Sequence, residues 1–469
     1  MQASSASQHP PDRLAPFAIP SAVDPVLIDF LHRSSDLLCS WIGSANRSSP
    51  VPVMRPLPDV APGLEGASLE SLLSDLQQVM DGAYQPSHPG ALAHLDPPPL
   101  TASIAAELVC AGLNNNLLAE ELSPGLTGLE HDLCRWFCHR IGLPEGSGGV
   151  LASGGTLSNL MALVAARAAL GDTHRDPVLL CSQDAHVSIN KAARVMGLAD
   201  DALQTLPVAS DGGLCLEALA ERLRSLQAKG RPCLAVVATA GTTVRGAIDP
   251  LSALATLCRD TEVWLHVDAA IGGVFALSSS HASLMDGMER ADSITLNPQK
   301  LLGITKASSL LLLRDRTHLR QAFSTGLPYM EEPKGMDHGG EIGLQGTRPA
   351  EILKLWLGLR QLGEAGIEAT LSGALQRRAA FAAQLDLGEF TQLSGDLHLL
   401  TFHPKHGGTN AAGCWSEETR QMLLSHGYML SRPFYGDRFC LKAVFGNPHT
   451  TAQHLSELSC LLNRSLAPI

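Results

Sequence analysis

No stretch of this 469-residue chain is apolar for long enough to span a bilayer, and runs such as Leu310 to Leu313 are far too short. No basic stripe is present, and the net charge is -12. That balance argues against nucleic acid and against an anionic membrane as partners, and leaves a small-molecule partner as the expectation. No CxxC pair occurs among the eleven cysteines, which are dispersed. Reduced thiols in a cytoplasmic compartment are expected. There is no internal repeat. The first twenty residues lack a charged-then-apolar order and read as a loose Ser/Pro tail, not a leader. No metal site is expected either. His131, Cys134, Cys138 and His139 fall at helical spacing, but Leu133, Trp136 and Phe137 interleave with them as in a packed helix.

What is present starts with Ser293 to Leu296, an apolar β-branched run with the pattern of a buried strand. Asn297-Pro298 breaks it, because proline has no N–H for a strand ladder. Lys300 follows at the strand's exit. A lone lysine is ordinarily a solvated surface charge. One that leaves a buried strand into a cleft is different: desolvation lowers its pKa and frees the lone pair for attack on a carbonyl. His266-Val267-Asp268-Ala269-Ala270 ends another apolar strand, 32 residues before the lysine if counted from Asp268. An amine that condenses with an aldehyde and a carboxylate that keeps a pyridine nitrogen protonated are the minimum for pyridoxal 5'-phosphate (PLP) chemistry.

Taken in order, the chain opens with a Pro/Ser-rich region holding one helical stretch, Pro25 to Ile42. Ser68 to Met80 reads as an amphipathic helix capped by Ser68. The proline-rich loop His88 to Pro99 offers His94 and Leu95 as pocket candidates. Helices are expected over Thr101 to Leu118 and Gly128 to Ile141. Gly149 to Ala152, then Ser153-Gly154-Gly155-Thr156, then a helix from Leu157 make a strand, glycine turn and helix, the form of a phosphate cradle. Further strands are expected at 178–181, 203–206, 234–239, 263–267, 293–296 and 309–313, with helices between several of them. Asp249-Pro250 reads as an N-cap aspartate and N1 proline. The alternation predicts an α/β fold with a mostly parallel sheet covered by helices. Ligands then sit at the carboxyl ends of strands, where Thr156, His186, Thr243, Asp268 and Lys300 all fall. Residues 326–346 are long and polar, as a lid is. Ala350 to Gly363 is the next expected helix.

These motifs in this order resemble the group II PLP-dependent amino-acid decarboxylases. The anchors are His88-Pro89, Ser123-Pro124, Ser153 to Thr156, Asp184-Ala185-His186, Ala240 to Thr243, His266 to Ala270, Asn297 to Lys300, and Gly446 to Thr451. The likeness runs from about residue 87 to about 462. It implies a fold-type I PLP-dependent transferase with a smaller C-terminal α+β domain, working as a cytoplasmic homodimer on an amino-acid substrate. The implied division is 1–86 as a dimerisation arm, 87–346 as the PLP-binding domain with its lid at about 326–346, and 347–469 as the small domain. The implied reaction is α-decarboxylation of an L-amino acid to the amine and carbon dioxide.

Lys300 resembles the Schiff-base lysine, Asp268 the partner of the pyridine nitrogen, and His186 the imidazole stacked on the ring. Ala270 is similar to the small residue on the ring's other face. Gly155, Thr156 and Asn297 match phosphate-binding positions, and Thr243 one near the cofactor hydroxyl or the substrate carboxylate. Two positions depart from the pattern. Gln299 stands where relatives carry histidine, and it donates without titrating. His338 stands where many relatives place a lid tyrosine, so His338 is expected to return the proton after carbon dioxide leaves, with Tyr329 as the alternative. Ile271 follows the Asp-Ala-Ala motif where relatives often carry an aromatic residue, and joins His94 and Leu95 as a pocket candidate. Competing expectations are another PLP reaction on the same fold, aldehyde synthesis or transamination, and an inactive relative kept as a binding partner.

Overall fold

The structure, a computed structural model, describes residues 13–171, 176–326, 330–393 and 395–466. Its centre is a seven-stranded sheet of β1 (Gly148–Ala152), β2 (Val178–Ser182), β3 (Leu203–Leu206), β4 (Cys233–Thr239), β5 (Leu265–Ala269), β6 (Ser293–Leu296) and β7 (Ser309–Leu313). Their order across the sheet is β1-β7-β6-β5-β4-β2-β3. Only β7 runs against its neighbours; the remaining pairings are parallel. Strands β2, β5, β6 and β7 are buried along their whole length. Strands β2 and β7 accordingly read as apolar runs before or after a single serine, whereas β5 and β6 carry His266, Asp268, Ser293 and Thr295 as buried polar groups. Truncating one of Leu310 to Leu313 to alanine is expected to cost about 2–5 kcal/mol.

Helices cover both faces. In chain order they are α1 (Pro25–Gly43), α2 (Leu69–Asp81), α3 (Thr101–Leu113), α4 (Pro124–Ile141), α5 (Gly155–Leu170), α6 (Ser188–Val195), α7 (Leu216–Ala228), α8 (Leu251–Asp260), α9 (Thr317–Phe323), α10 (Ile352–Ala382), α11 (Thr409–Ser425) and α12 (Ala452–Arg464). The smaller C-terminal part pairs β8 (Phe390–Leu393), β9 (Leu399–Pro404) and β12 (Leu441–Val444) in an antiparallel sheet. A separate core of Phe381, Phe390, Phe402, Trp415 and Phe445 fills it. Between these strands, β10 (Phe434–Tyr435) and β11 (Arg438–Phe439) form a short hairpin. The Tyr435 hydroxyl donates to Asp184 Oδ2, tying the hairpin to the loop that carries His186.

Several boundaries differ from the sequence expectation, each for a local reason. Strand β5 starts at Leu265, not Val263, because the Val263 N–H bonds to Cys258 O and closes α8 instead. Asp268 is therefore inside the strand, in register with Thr239 and Thr295. Helix α3 stops at Leu113, where Asn114 turns left-handed at φ 45°. Helix α4 starts four residues early, with Pro124 in its first turn. Asp249 does not cap α8. It is buried, and its two oxygens accept from Leu214 N and Thr239 N, each at 2.7 Å. Burial pushes its pKa up to about 6. Helix α10 continues past Gly363, which breaks the helical path at φ 60° and ψ 178°. Ser68 caps α2 as expected, accepting from Ser71 N. Cys134 and Cys138 are buried in the main core, and His131 faces Arg316.

Candidate active site

The carboxyl ends of β1, β4, β5 and β6 open onto one cleft of about 280 Å³. Its walls include Gly155, Thr156, His186, Thr243, Asp268, Ala270, Ile271, Asn297, Gln299 and Lys300. Ten positions singled out in the sequence thus meet in one place, although they span residues 155 to 300.

Each is placed by its element. Lys300 ends a short turn, Pro298–Lys300, directly after β6. Burial lowers its amine pKa, while the nearby Asp268 charge pushes the other way. Asp268 is 5% exposed; its Oδ1 accepts from Ala270 N at 3.2 Å and its Oδ2 from Asn159 Nδ2 at 2.8 Å. His186 is partly buried, which lowers its pKa, and Asp268 opposes that shift. Its Nδ1 meets Ser188 Oγ at 2.8 Å. Gln299 is anchored by its carbonyl oxygen, which accepts from Ser308 N.

The glycine turn has the form a phosphate needs. Gly154 sits at φ +120°, where a side chain is strained, and opens onto empty space. A Cβ on Gly155 would come within 2.9 Å of the Asn297 amide. With that amide oriented to suit its neighbours, Asn297 donates to Ser309 Oγ at 2.6 Å and accepts from Gly155 N at 3.2 Å. Asn297 thereby ties the exit of β6 to the first turn of α5. The α5 N-terminus presents amide donors and the positive end of its dipole to the cleft. Thr239 Oγ1 is buried at the cleft wall and has no partner among the described residues. An anion-binding turn, a lysine amine without a hydrogen-bond partner among the described residues and a buried carboxylate in the same cleft are the set that PLP requires, so the residues fit that cofactor.

A model of the pyridoxal-dependent decarboxylase conserved domain matches residues 50–394. The chain belongs to this family. The L-2,4-diaminobutyrate decarboxylase of Rhizobium meliloti (strain 1021) is 34% identical over 405 residues, 84% of this chain and 81% of the relative. The human cysteine sulfinic acid decarboxylase is 30% identical over 392 residues, 76% and 77% of the two chains. The crystal structure of Oryza sativa TDC with PLP and tryptamine superposes with a TM-score of 0.89 at 23% identity, covering 96% of this chain and 99% of that one. The fold is therefore that of the fold-type I PLP-dependent decarboxylases, and the enzyme is a carboxy-lyase whose cofactor is PLP. It decarboxylates an L-amino acid at the α-carbon.

Three expected site residues stand outside this decarboxylase's cleft. His94 is exposed, and Leu95 packs toward the main core. Asp96 next to them is held by Lys306 at 2.9 Å. His338 is 6% exposed and has both ring nitrogens engaged: Nδ1 accepts from Glu120 N at 3.1 Å, and Nε2 meets Glu331 O at 2.9 Å. It pins the segment after residue 330 to the turn before α4 instead of facing Lys300. Tyr329, the alternative, lies outside the described residues. Two site residues escaped the sequence reading. Asn159 lines the cleft one turn into α5; its only signal was an amide in a largely apolar helix. Lys442 gave none, because it comes from β12 in the other domain. Its Nζ donates to the Thr243 carbonyl at 3.1 Å. Burial, then the Lys300 charge, lowers its pKa to about 8.

Proposed function

We propose that this decarboxylase works through Lys300, Asp268 and His186, on the single observation that the lysine amine and the Asp268 carboxylate share the cleft that the α5 N-terminus closes. Bound PLP supplies a carbonyl for the amine and a cationic ring that takes up the electrons left when carbon dioxide departs. The lowered pKa of Lys300 leaves more of its amine neutral and nucleophilic near pH 7. Asp268, fixed by two donors, offers the acceptor for the ring N–H. His186 and Ala270 stand as the two side walls, and the small Ala270 leaves room for a flat ring. Thr156 and the backbone amides of the α5 first turn receive the phosphate, with Gly155 and Asn297 shaping the turn. Thr243 and the Gln299 amide group are neutral donors toward the substrate, and Ile271 walls its pocket. Lys442 places a second cation beside the cleft for a carboxylate of the substrate.

The assembly is read as a homodimer. Large apolar side chains lie exposed along the N-terminal region, including Phe17 at 88%, Val53 at 83% and Val60 at 93%. Helix α1 has no buried residue despite its apolar content. A second copy of the chain is what such a face fits. The division at 1–86, 87–346 and 347–469 is proposed with it, as is a cytoplasmic location; among the described residues no helix is long and apolar enough to cross a membrane.

Carbon dioxide and amine release, measured with PLP over a panel of L-amino acids, tests the reading. The panel includes 2,4-diaminobutyrate and cysteine sulfinate, which the relatives' names point to and which carry opposite side-chain charges. One substrate should give amine and carbon dioxide in equal amounts without peroxide. Peroxide with an aldehyde, or a keto acid, would overturn it.

A further inference from the structure

Beneath Asp268 lies a line of buried polar groups that the reaction does not itself require. Trp264 Nε1 donates to Ser293 Oγ at 2.9 Å. Ser293 Oγ lies 2.9 Å from His266 Nδ1. His266 Nε2 lies 3.0 Å from Asn159 Oδ1. Asn159 Nδ2 donates to Asp268 Oδ2 at 2.8 Å and to Ser188 Oγ at 2.9 Å. Ser188 Oγ lies 2.8 Å from His186 Nδ1, which also accepts from Ser188 N at 3.2 Å. Asn159, His266 and Ser293 are at most 1% exposed, so bulk solvent does not reach them and their protons must be shared within the protein.

The two ends of this line fix its direction. An indole N–H can only donate, and a carboxylate oxygen can only accept. Ser293 Oγ accepts from Trp264 and has no other acceptor in reach among the described residues, so its hydroxyl proton goes to His266 Nδ1. The His266 proton must then be on Nε2, where it meets the Asn159 carbonyl oxygen. The Asn159 amide is thereby barred from flipping, and its two N–H groups face Asp268 and Ser188. Ser188, having accepted, sends its proton to His186 Nδ1, and the His186 proton is left on Nε2. The reverse order fails at two points: it leaves a buried Ser293 proton unpaired and turns the Asn159 oxygen against the Asp268 carboxylate. Burial lowers the His266 pKa to about 4, which keeps the ring neutral, as the chain demands.

We propose that Trp264, Ser293, His266 and Asn159 form a one-directional hydrogen-bond chain that locks the Asp268 carboxylate in place and holds His186 as its Nε2–H tautomer. Asn159 and His266 are then positioning residues for PLP. This rests on the reading of the cleft above.

The test uses the apoprotein labelled with nitrogen-15 histidine, with His186→Gln and His266→Gln to assign the signals, and PLP titrated by absorbance. Both rings should show the proton on Nε2. Ser293→Ala combined with Asn159→Leu, which removes the constraint on both ring nitrogens, should give His266 a mixture of tautomers, whereas Ser293→Ala alone should leave the proton on Nε2. Asn159→Leu should weaken PLP binding by about tenfold or more, the worth of one hydrogen bond to a charged group. Asn159→Asp, which places a second carboxylate against Asp268, should weaken it further. A His266 proton on Nδ1 in the wild type would overturn the proposal. So would unchanged PLP affinity in both folded Asn159 variants, provided Asp268→Ala loses affinity. If Asp268→Ala itself binds PLP as the wild type does, the reading of the cleft has failed, and the proposal with it.

Discussion

Lys442 is 7% exposed and has a carbonyl as its hydrogen-bond partner, with the Lys300 charge nearby. Its pKa in the folded protein, about 8, lies below the ordinary 10.5. Between those values the unfolded chain holds more protons than the folded one, so this residue makes stability rise with pH across that window. Below about pH 8 the folded protein carries the buried charge at nearly full cost, roughly 3 kcal/mol. Lys442→Met should therefore raise the melting temperature of the apoprotein at pH 7, and the gain should vanish by about pH 10. A gain that is the same at both pH values would show that the lysine is not charged at a cost. The same variant should lose substrate affinity more than turnover if the cation receives a substrate carboxylate.

At the scale of an element, the first turn of α5 does the work of an anion site only while its backbone can approach. Gly155→Ala places a methyl group 2.9 Å from the Asn297 amide. Such crowding costs about 1–3 kcal/mol. It should show as weaker PLP binding by about one order of magnitude, with a smaller fall in melting temperature. An unchanged PLP affinity would mean that the turn does not hold the phosphate. The β10–β11 hairpin is the second element with a readable role. Its Tyr435 hydroxyl reaches across domains to Asp184, two residues before His186. The sequence marked Asp184-Ala185-His186 as one motif but gave no sign that a hairpin residue 251 positions away would hold it.

For the whole molecule, the exposed apolar arm sets the expectation. Sedimentation should give a mass of twice 49.6 kDa. Removing residues 1–66 should leave a monomer or an aggregate, because the apolar face that the arm covers would be left in water. A monomeric full-length chain would reject the dimer reading.

A mostly parallel sheet and the cleft at its strands' carboxyl ends were legible in the sequence, since strands alternate with helices along the chain and a lysine after Asn297-Pro298 has to leave the sheet; the order of strands across the sheet was not. The pairing of β7 against its neighbours was not legible, because apolar runs do not encode direction. Nor were the finer boundaries, such as Val263 closing α8 instead of opening β5, which depend on which carbonyl an N–H can reach. Motif order supplied Lys300, Asp268, His186 and the glycine turn, each next to a local break in the chain that fixes its position. His338 could not be placed that way: counting residues locates a side chain along a loop, but its ring is held by Glu120 and Glu331, far from the lysine. Asn159 and Lys442 were decided by tertiary structure alone. Their roles come from neighbours distant in sequence, Asp268 for one and Thr243 for the other, and only folding brings a helix amide to the cleft wall and a strand lysine beside it.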